Sequence, residues 1–472
     1  MKFKNTLIAL LILALACSSL AACAGDGEQN TEENTETDAP IDTSPVQIPD
    51  SLPTPLANFS FACDGATVPT EGLEFRVENG KAQILSYTGA LTAVRIPDTL
   101  GGAPVTAIAD GAFANNQSLV TLILPDGIKT LGTGILSGCT AIKHLQTPLL
   151  GKDAESAQYL GYLFGADSYK NNPRDVSATL ETLSLCGEMA TLSAYALFDC
   201  NDLQCLILSD CIRTVEKYAL YNCTSLEHIE GLHNVLQFGD RALMNCAALD
   251  HLSLGKHVAS IGLGAFEGCD AVRYVTLPFV GGSRTENAFL GYIFGAQYPD
   301  HAAGYYPRKL EKVTLYEGCT DLADYALFEC KTLKEVVLPN GLERIGVRAF
   351  YGCEKLWSIK LPDSLTTLRE AVFFGCDALL SVQFGKGLQF IGINAFYNCD
   401  SLTEIALPQT LKKLPASCFA GCISLRTVDL GGVTEVGAQA FRGCDAIETV
   451  KASGKVTFGE GNDRVKNILE LE

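Results

Sequence analysis

Little of the 472-residue sequence is Trp, Met or positive charge. One Trp and three Met leave Leu, Ile, Val and Ala to fill a core, and 47% hydrophobic against 19% charged residues supplies ample material for one. That balance excludes a largely disordered chain. Lys and Arg number 35 against 54 Asp and Glu, a net charge of −19. So acidic a surface argues against nucleic acid and anionic lipid headgroups as direct partners. Catalytic signatures are missing as well. There is no His-Glu-x-x-His, no Gly-x-Ser-x-Gly and no phosphate-binding glycine loop, so the chain reads as a non-enzyme without a cofactor. After Leu7–Ala16 no second apolar run suits a membrane span.

The amino terminus reads as an address. Lys2 and Lys4 precede the short apolar run, and small residues lead to Leu20-Ala21-Ala22-Cys23. That ending resembles the lipobox of bacterial lipoproteins, which implies a signal peptide over 1–22 and acylation of Cys23 as the first mature residue. An ordinary cleaved signal peptide, with Cys23 incidental, is the alternative. Ala24 to Asn58 holds eight acidic residues, five prolines and no Lys or Arg. Such a stretch buries too little apolar area to offset ordering, so residues 23–58 are expected to be a self-repelling tether. At roughly 3 Å per residue it would reach up to about 100 Å. The expected location is the outer face of the cell membrane, touched only through the lipid.

Nineteen cysteines would ordinarily suggest disulfides or metal clusters. Their spacing says otherwise. Cys200, Cys223, Cys246 and Cys269 lie 23 residues apart, as do Cys330, Cys353, Cys376, Cys399 and Cys422, with Cys444 following after 22. Counting from each Cys, Leu stands at +3, Ile or Val at +6, Leu at +8 and often Pro at +9, as in Leu402-Thr403-Glu404-Ile405-Ala406-Leu407-Pro408. Alternation at +6 and +8 describes a short strand with one buried face, and Pro ends it. A second half, such as Leu342-Glu343-Arg344-Ile345-Gly346-Val347-Arg348-Ala349-Phe350-Tyr351-Gly352-Cys353, adds further inward columns. One unit cannot bury its apolar face alone, so the units must stack.

Two intervals, Cys139 to Cys200 and Cys269 to Cys330, are 61 residues and divide into 38 plus 23. The long coils, at about 139–177 and 269–307, share Tyr159-Leu160-Gly161-Tyr162-Leu163-Phe164-Gly165-Ala166 and Phe289-Leu290-Gly291-Tyr292-Ile293-Phe294-Gly295-Ala296. At the front, Leu73–Val77 and Ala82–Tyr87 flank Glu78-Asn79-Gly80-Lys81, a hairpin signal. Residues 59–90 are therefore expected to cap the first rung, 91–450 to form the stack, and 451–472 to cover its end.

The repeated unit resembles the BspA-type leucine-rich repeat of bacterial surface proteins over about residues 70 to 450. That resemblance implies a β-rich right-handed solenoid with a parallel sheet on one face, here in about fourteen coils. It also implies surface exposure and adhesion to protein or glycan partners. A structural envelope or spacer protein without a dedicated ligand is the competing function.

Eleven cysteines share one column, read as a packed thiol ladder because Cys is a small, readily buried residue. Rungs roughly 5 Å apart leave occasional disulfide pairing open. Outward strand positions are where binding is expected: His228, His251 and Tyr274 stand on three successive rungs. Cys205, His228 and His251 carry metal-ligand chemistry at rung spacing, although an ordinary solvated sheet face is the expected reading and no metal is assigned. Tyr162, Phe164, Tyr292 and Phe294 are the remaining candidates, as aromatic platforms on the long coils. The alternative is that those segments only close the longer coils.

Overall fold

The computed structural model describes residues 66–69, 71–286 and 288–471. The expected signal peptide, Cys23 and the acidic tether lie outside the described residues.

Alternation does build a sheet. Fifteen described strands, from Ala93–Arg95 to Thr449–Lys451, run parallel in sheets of six, four, two and three. Register is one coil per rung: Cys205 faces His228 and Leu206 faces Ile229. The +6 residue points inward, so Leu122, Leu145, Leu183 and Leu206 are fully buried. A second ladder of two-residue strands runs along another side; Arg344–Ile345, Thr367–Leu368 and Phe390–Ile391 form one stretch of it. The solenoid makes about sixteen turns, close to the expected count of about fourteen.

Between the second strand and the Cys, each coil turns back through a segment bonded rung to rung. Phe350, Phe373 and Phe396 donate their amides to Val372, Ala395 and Cys418, at 2.9, 2.7 and 2.8 Å. Two positions per coil take the left-handed conformation there, five residues and one residue before the Cys. Arg348, Ala371 and Asn394 occupy the first, and Gly352, Gly375 and Asn398 the second. The second position explains the recurring Gly-Cys and Asn-Cys pairs, since Gly and Asn tolerate positive φ best. Gly421 has φ +81, and a methyl there would press on Asn398. Gly421→Ala is expected to destabilise the protein by about 1–2 kcal/mol in denaturant titration, whereas Ala420→Gly should not reproduce a strain penalty.

The core is one continuous cluster along the whole axis. Phe350, Phe373, Phe396, Phe419 and Phe441 stack ring on ring, with centroids 5.1, 5.1, 5.0 and 5.7 Å apart. Their spacing matches the rung spacing, because each ring inherits its height from the backbone ladder.

Both ends are covered. Leu73–Glu78 pairs antiparallel with Lys81–Tyr87 through Asn79 and Gly80, both at positive φ. The hairpin extends the second ladder, since Lys81–Tyr87 pairs with Ala103–Ile108; the first sheet rung instead takes a bridge from Thr67 to Val94. At the other end the Asp463–Leu471 helix buries Val465, and Arg464 donates twice to the Ile447 carbonyl, at 2.9 and 2.6 Å. Among the described residues no helix is long and apolar enough to cross a membrane.

Candidate binding face

The first strand of each coil carries its +5 side chain on the face opposite the +6 column, although Thr121, Thr182, Cys205 and Lys312 are buried there. His228 and His251 follow each other on successive rungs, with ring centroids 6.1 Å apart and both side chains mostly covered. His251 Nδ1 lies 2.5 Å from Asp250 Oδ1. That hydrogen bond holds the Asp250 carboxyl below the usual carboxylate range, while burial lowers His228. His228, Asp250 and His251 bring one ligand atom each within 4.8 Å of one another. Cys205, opposite His228 in register, is not of that group; it is 1% exposed, and burial pushes its thiol up to about 11. Tyr274, on the following rung, has the Arg273 guanidinium 5.3 Å from its ring centroid.

The long coils place their aromatics less favourably for contact. Leu160–Phe164 and Leu290–Phe294 are short 3-10 helices. Gly134 and Leu136 donate to the Tyr162 and Leu163 carbonyls, and Leu160 donates to Ala196, so the segment serves as a rung of the turn column. Gly264, Phe266 and Leu290 repeat this with Tyr292, Ile293 and Ala326. Phe164 and Phe294 are 5% and 1% exposed, which corrects their expected place on the binding surface: the 3-10 turn aims them inward. Tyr162 is half-buried and donates to the Leu131 carbonyl at 3.0 Å, and Tyr292 is half-buried against the core. The freely exposed aromatics of the second long coil are Tyr298 and Tyr305.

A larger concavity lies farther along the sheet. Strands Glu335–Val337 and Ser358–Lys360 lie on successive rungs but do not pair as sheet strands. A groove of about 680 Å³ opens there, lined among others by Tyr316, Glu317, Glu335, Val337, Leu338 and Trp357. Trp357 is half-buried, its indole N–H has no hydrogen-bond partner, and Val337 is 38% exposed. Glu335 is held by Lys312 at 2.6 Å. Apolar walls with carboxylates at the rim suit a ligand carrying both apolar and hydroxyl or amide groups.

The profile of the family described as BspA type leucine rich repeat region matches this chain in six copies, over residues 81–157, 176–291, 301–426 and 343–461. The chain belongs to this family. Solved structures similar to it include a leucine-rich repeat protein from Bacteroides ovatus, at 18% identity over 83% of this chain and 98% of that one, TM-score 0.33. A leucine rich cell surface protein from Faecalibacterium prausnitzii gives 20% identity over 82% and 94%, TM-score 0.28. The pneumococcal vaccine antigen PcpA gives 17% over 84% and 98%, TM-score 0.29. No curated protein matches the chain.

In this BspA-type solenoid the thiol ladder is packed as hydrogen bonds. Cys376 Sγ donates to the Phe350 carbonyl at 3.2 Å, and Cys399 Sγ to Phe373 at 3.2 Å, each reaching back one rung. The sixteen described cysteines are all free. Burial pushes Cys223 and Cys353 up to about 12, so these thiols hold their protons at neutral pH.

Two features escape inspection of the strand columns. Phe328, Tyr351, Phe374 and Tyr397 form an outer stack at 5.2, 4.8 and 4.8 Å, with the Arg348 guanidinium 5.7 Å from the Tyr351 ring. The residue after Leu327, Phe350, Phe373 and Phe396 carries this stack, and the recurrence of an aromatic there at 23 residues is its signal in the sequence. Trp357, at the +4 position, precedes the alternating strand, and the chain's single Trp was the only hint to it.

Proposed function

We propose that the chain is a bacterial cell-surface binding module, tethered by lipid on Cys23, whose sheet face and Trp357 groove engage an extracellular protein or glycan. The groove carries this reading. A half-buried Trp whose N–H is shielded from solvent yet unpaired lines this groove beside exposed Val337 and two carboxylates, on a solenoid whose other large aromatics are mostly stacked. His228, His251 and Tyr274 offer further polar and aromatic groups on the sheet strands. The lipid attachment is supported by the Leu20–Cys23 motif followed at once by the acidic tether. Family membership supports a non-enzymatic repeat protein that works by binding.

The test is an array of extracellular-matrix proteins and glycans probed with the wild type and with Trp357→Ala. At least one wild-type signal, weakened at least about tenfold in affinity by Trp357→Ala, is expected. Silence of the wild type across the array would favour the structural spacer instead.

A further inference from the structure

The first sheet is interrupted between two successive rungs whose second-ladder strands still pair. The residue at +4 donates its amide to the +4 carbonyl of the preceding rung along the sheet: Gln204 to Glu181, Glu227 to Gln204, Arg273 to Asp250 and Lys334 to Glu311, at 2.7–2.9 Å. Even where strand pairing lapses near Trp357, the bond to Lys334 survives at 3.3 Å. Between Asp250 and Glu227 it is absent, and strand His228–Glu230 does not pair with His251–Ser253. Gly231 turns the chain away there, at φ 89, into a short 3-10 helix over Leu232–Asn234.

Three metal-ligating side chains face one another across this interruption. His228 comes from one side; Asp250 and His251 come from the other. His228 Nδ1 is shielded from solvent and has no hydrogen-bond partner, a costly state for a buried polar atom. Asp250 Oδ1 and His251 Nδ1 lie 2.5 Å apart, within hydrogen-bond distance. We propose that His228, Asp250 and His251 bind a divalent transition-metal ion of the zinc or copper class. Two imidazoles and a carboxylate suit those ions, whereas calcium and magnesium prefer oxygen-only shells.

Size agrees with that assignment. Ligand atoms around tetrahedral zinc, bonded at about 2.0–2.1 Å, lie about 3.3 Å apart. The largest separation here is under 4.8 Å, so rotation of the partly covered imidazoles closes the set. Three protein ligands leave one position open, for water or for a donor group of a bound partner. The ion would also link two rungs whose backbone bond is missing. Cys205 is buried on the neighbouring rung and outside the set, so the site contains no thiolate.

The experiment is titration of the full-length, reduced protein with Zn²⁺, followed by calorimetry and thermal unfolding, and with Co²⁺, followed by absorption. One equivalent is expected to bind and raise the unfolding midpoint, because the ion favours the folded state. The cobalt spectrum should lack a thiolate charge-transfer band. His228→Ala and His251→Ala should each weaken binding at least about tenfold. Asp250→Asn, which keeps the shape of the side chain, should weaken it as well. Cys205→Ser, and His257→Ala at an exposed histidine, should leave it unchanged. Circular dichroism of each variant without metal shows that the solenoid is intact. Unchanged affinity in folded His228→Ala and His251→Ala, or binding lost on Cys205→Ser, would overturn the assignment.

Discussion

Phe373→Ala is expected to lower the unfolding free energy by about 3–5 kcal/mol. Phe373 is fully buried and stacks between Phe350 and Phe396, 5.1 Å from each. Its removal forfeits the transfer of a large ring, leaves a cavity and deprives two neighbouring rings of a partner. This rung cannot shift to fill such a hole, because backbone bonds from Phe350 to Val372 and from Phe373 to Ala395 fix it to both neighbours. Phe374, one residue along, supplies the control. It stacks between Tyr351 and Tyr397 at 4.8 Å each but is half-exposed, so Phe374→Ala should cost about 1–2 kcal/mol. Equilibrium denaturation followed by far-ultraviolet circular dichroism measures both. Equal costs for the two would contradict a stabilising inner phenylalanine column.

A second large effect is expected in alkali. Burial raises the Cys330 and Cys376 thiols well above their ordinary range, raises Cys399 too, and brings Cys223 and Cys353 to about 12. In the unfolded chain such a thiol loses its proton near pH 9, while the folded state keeps it. Above that pH the unfolded state therefore binds fewer protons, and stability falls as pH rises. Each thiol contributes up to about 1.4 kcal/mol per pH unit once it is fully ionised in the unfolded chain, so these five together give a limiting slope of about 7 kcal/mol per unit. Denaturation midpoints should be level from pH 7 to 8 and drop steeply between about pH 9 and 10. Thiolate absorbance should appear with unfolding rather than before it. A midpoint unchanged at pH 10 would show that the column is not a set of buried neutral thiols.

The periodic features were legible in the sequence because they arise from backbone spacing. The 23-residue interval, the buried +6 column and the free thiol ladder each follow from a constraint repeated rung after rung, and the Asn79-Gly80 turn from its own local turn chemistry. The exceptions were not legible, because they occur where one rung departs from the rest. Spacing placed Cys205 beside the histidines, but the small thiol lies under its neighbours, and the acid that joins the histidines is Asp250 at +4. Position +4 lies ahead of the alternating strand, so alternation assigns it no direction, and Trp357 was missed for the same reason. Phe164 and Phe294 sit in a motif repeated between the long coils; repetition identified it without saying which way a 3-10 turn would aim its rings. The missing bond between Asp250 and Glu227 is a backbone event with no residue signature beyond Gly231.

Trp357 is the chain's single tryptophan, so its fluorescence reports on the groove without labelling. Titrating the protein with an array-positive protein or glycan, while following Trp357 emission, tests a binding groove at this position most directly. A saturable shift in emission is expected, with a midpoint equal to the affinity measured by calorimetry and weakened in Tyr316→Ala. Binding that leaves Trp357 emission unchanged, and that Trp357→Ala does not weaken, would contradict it.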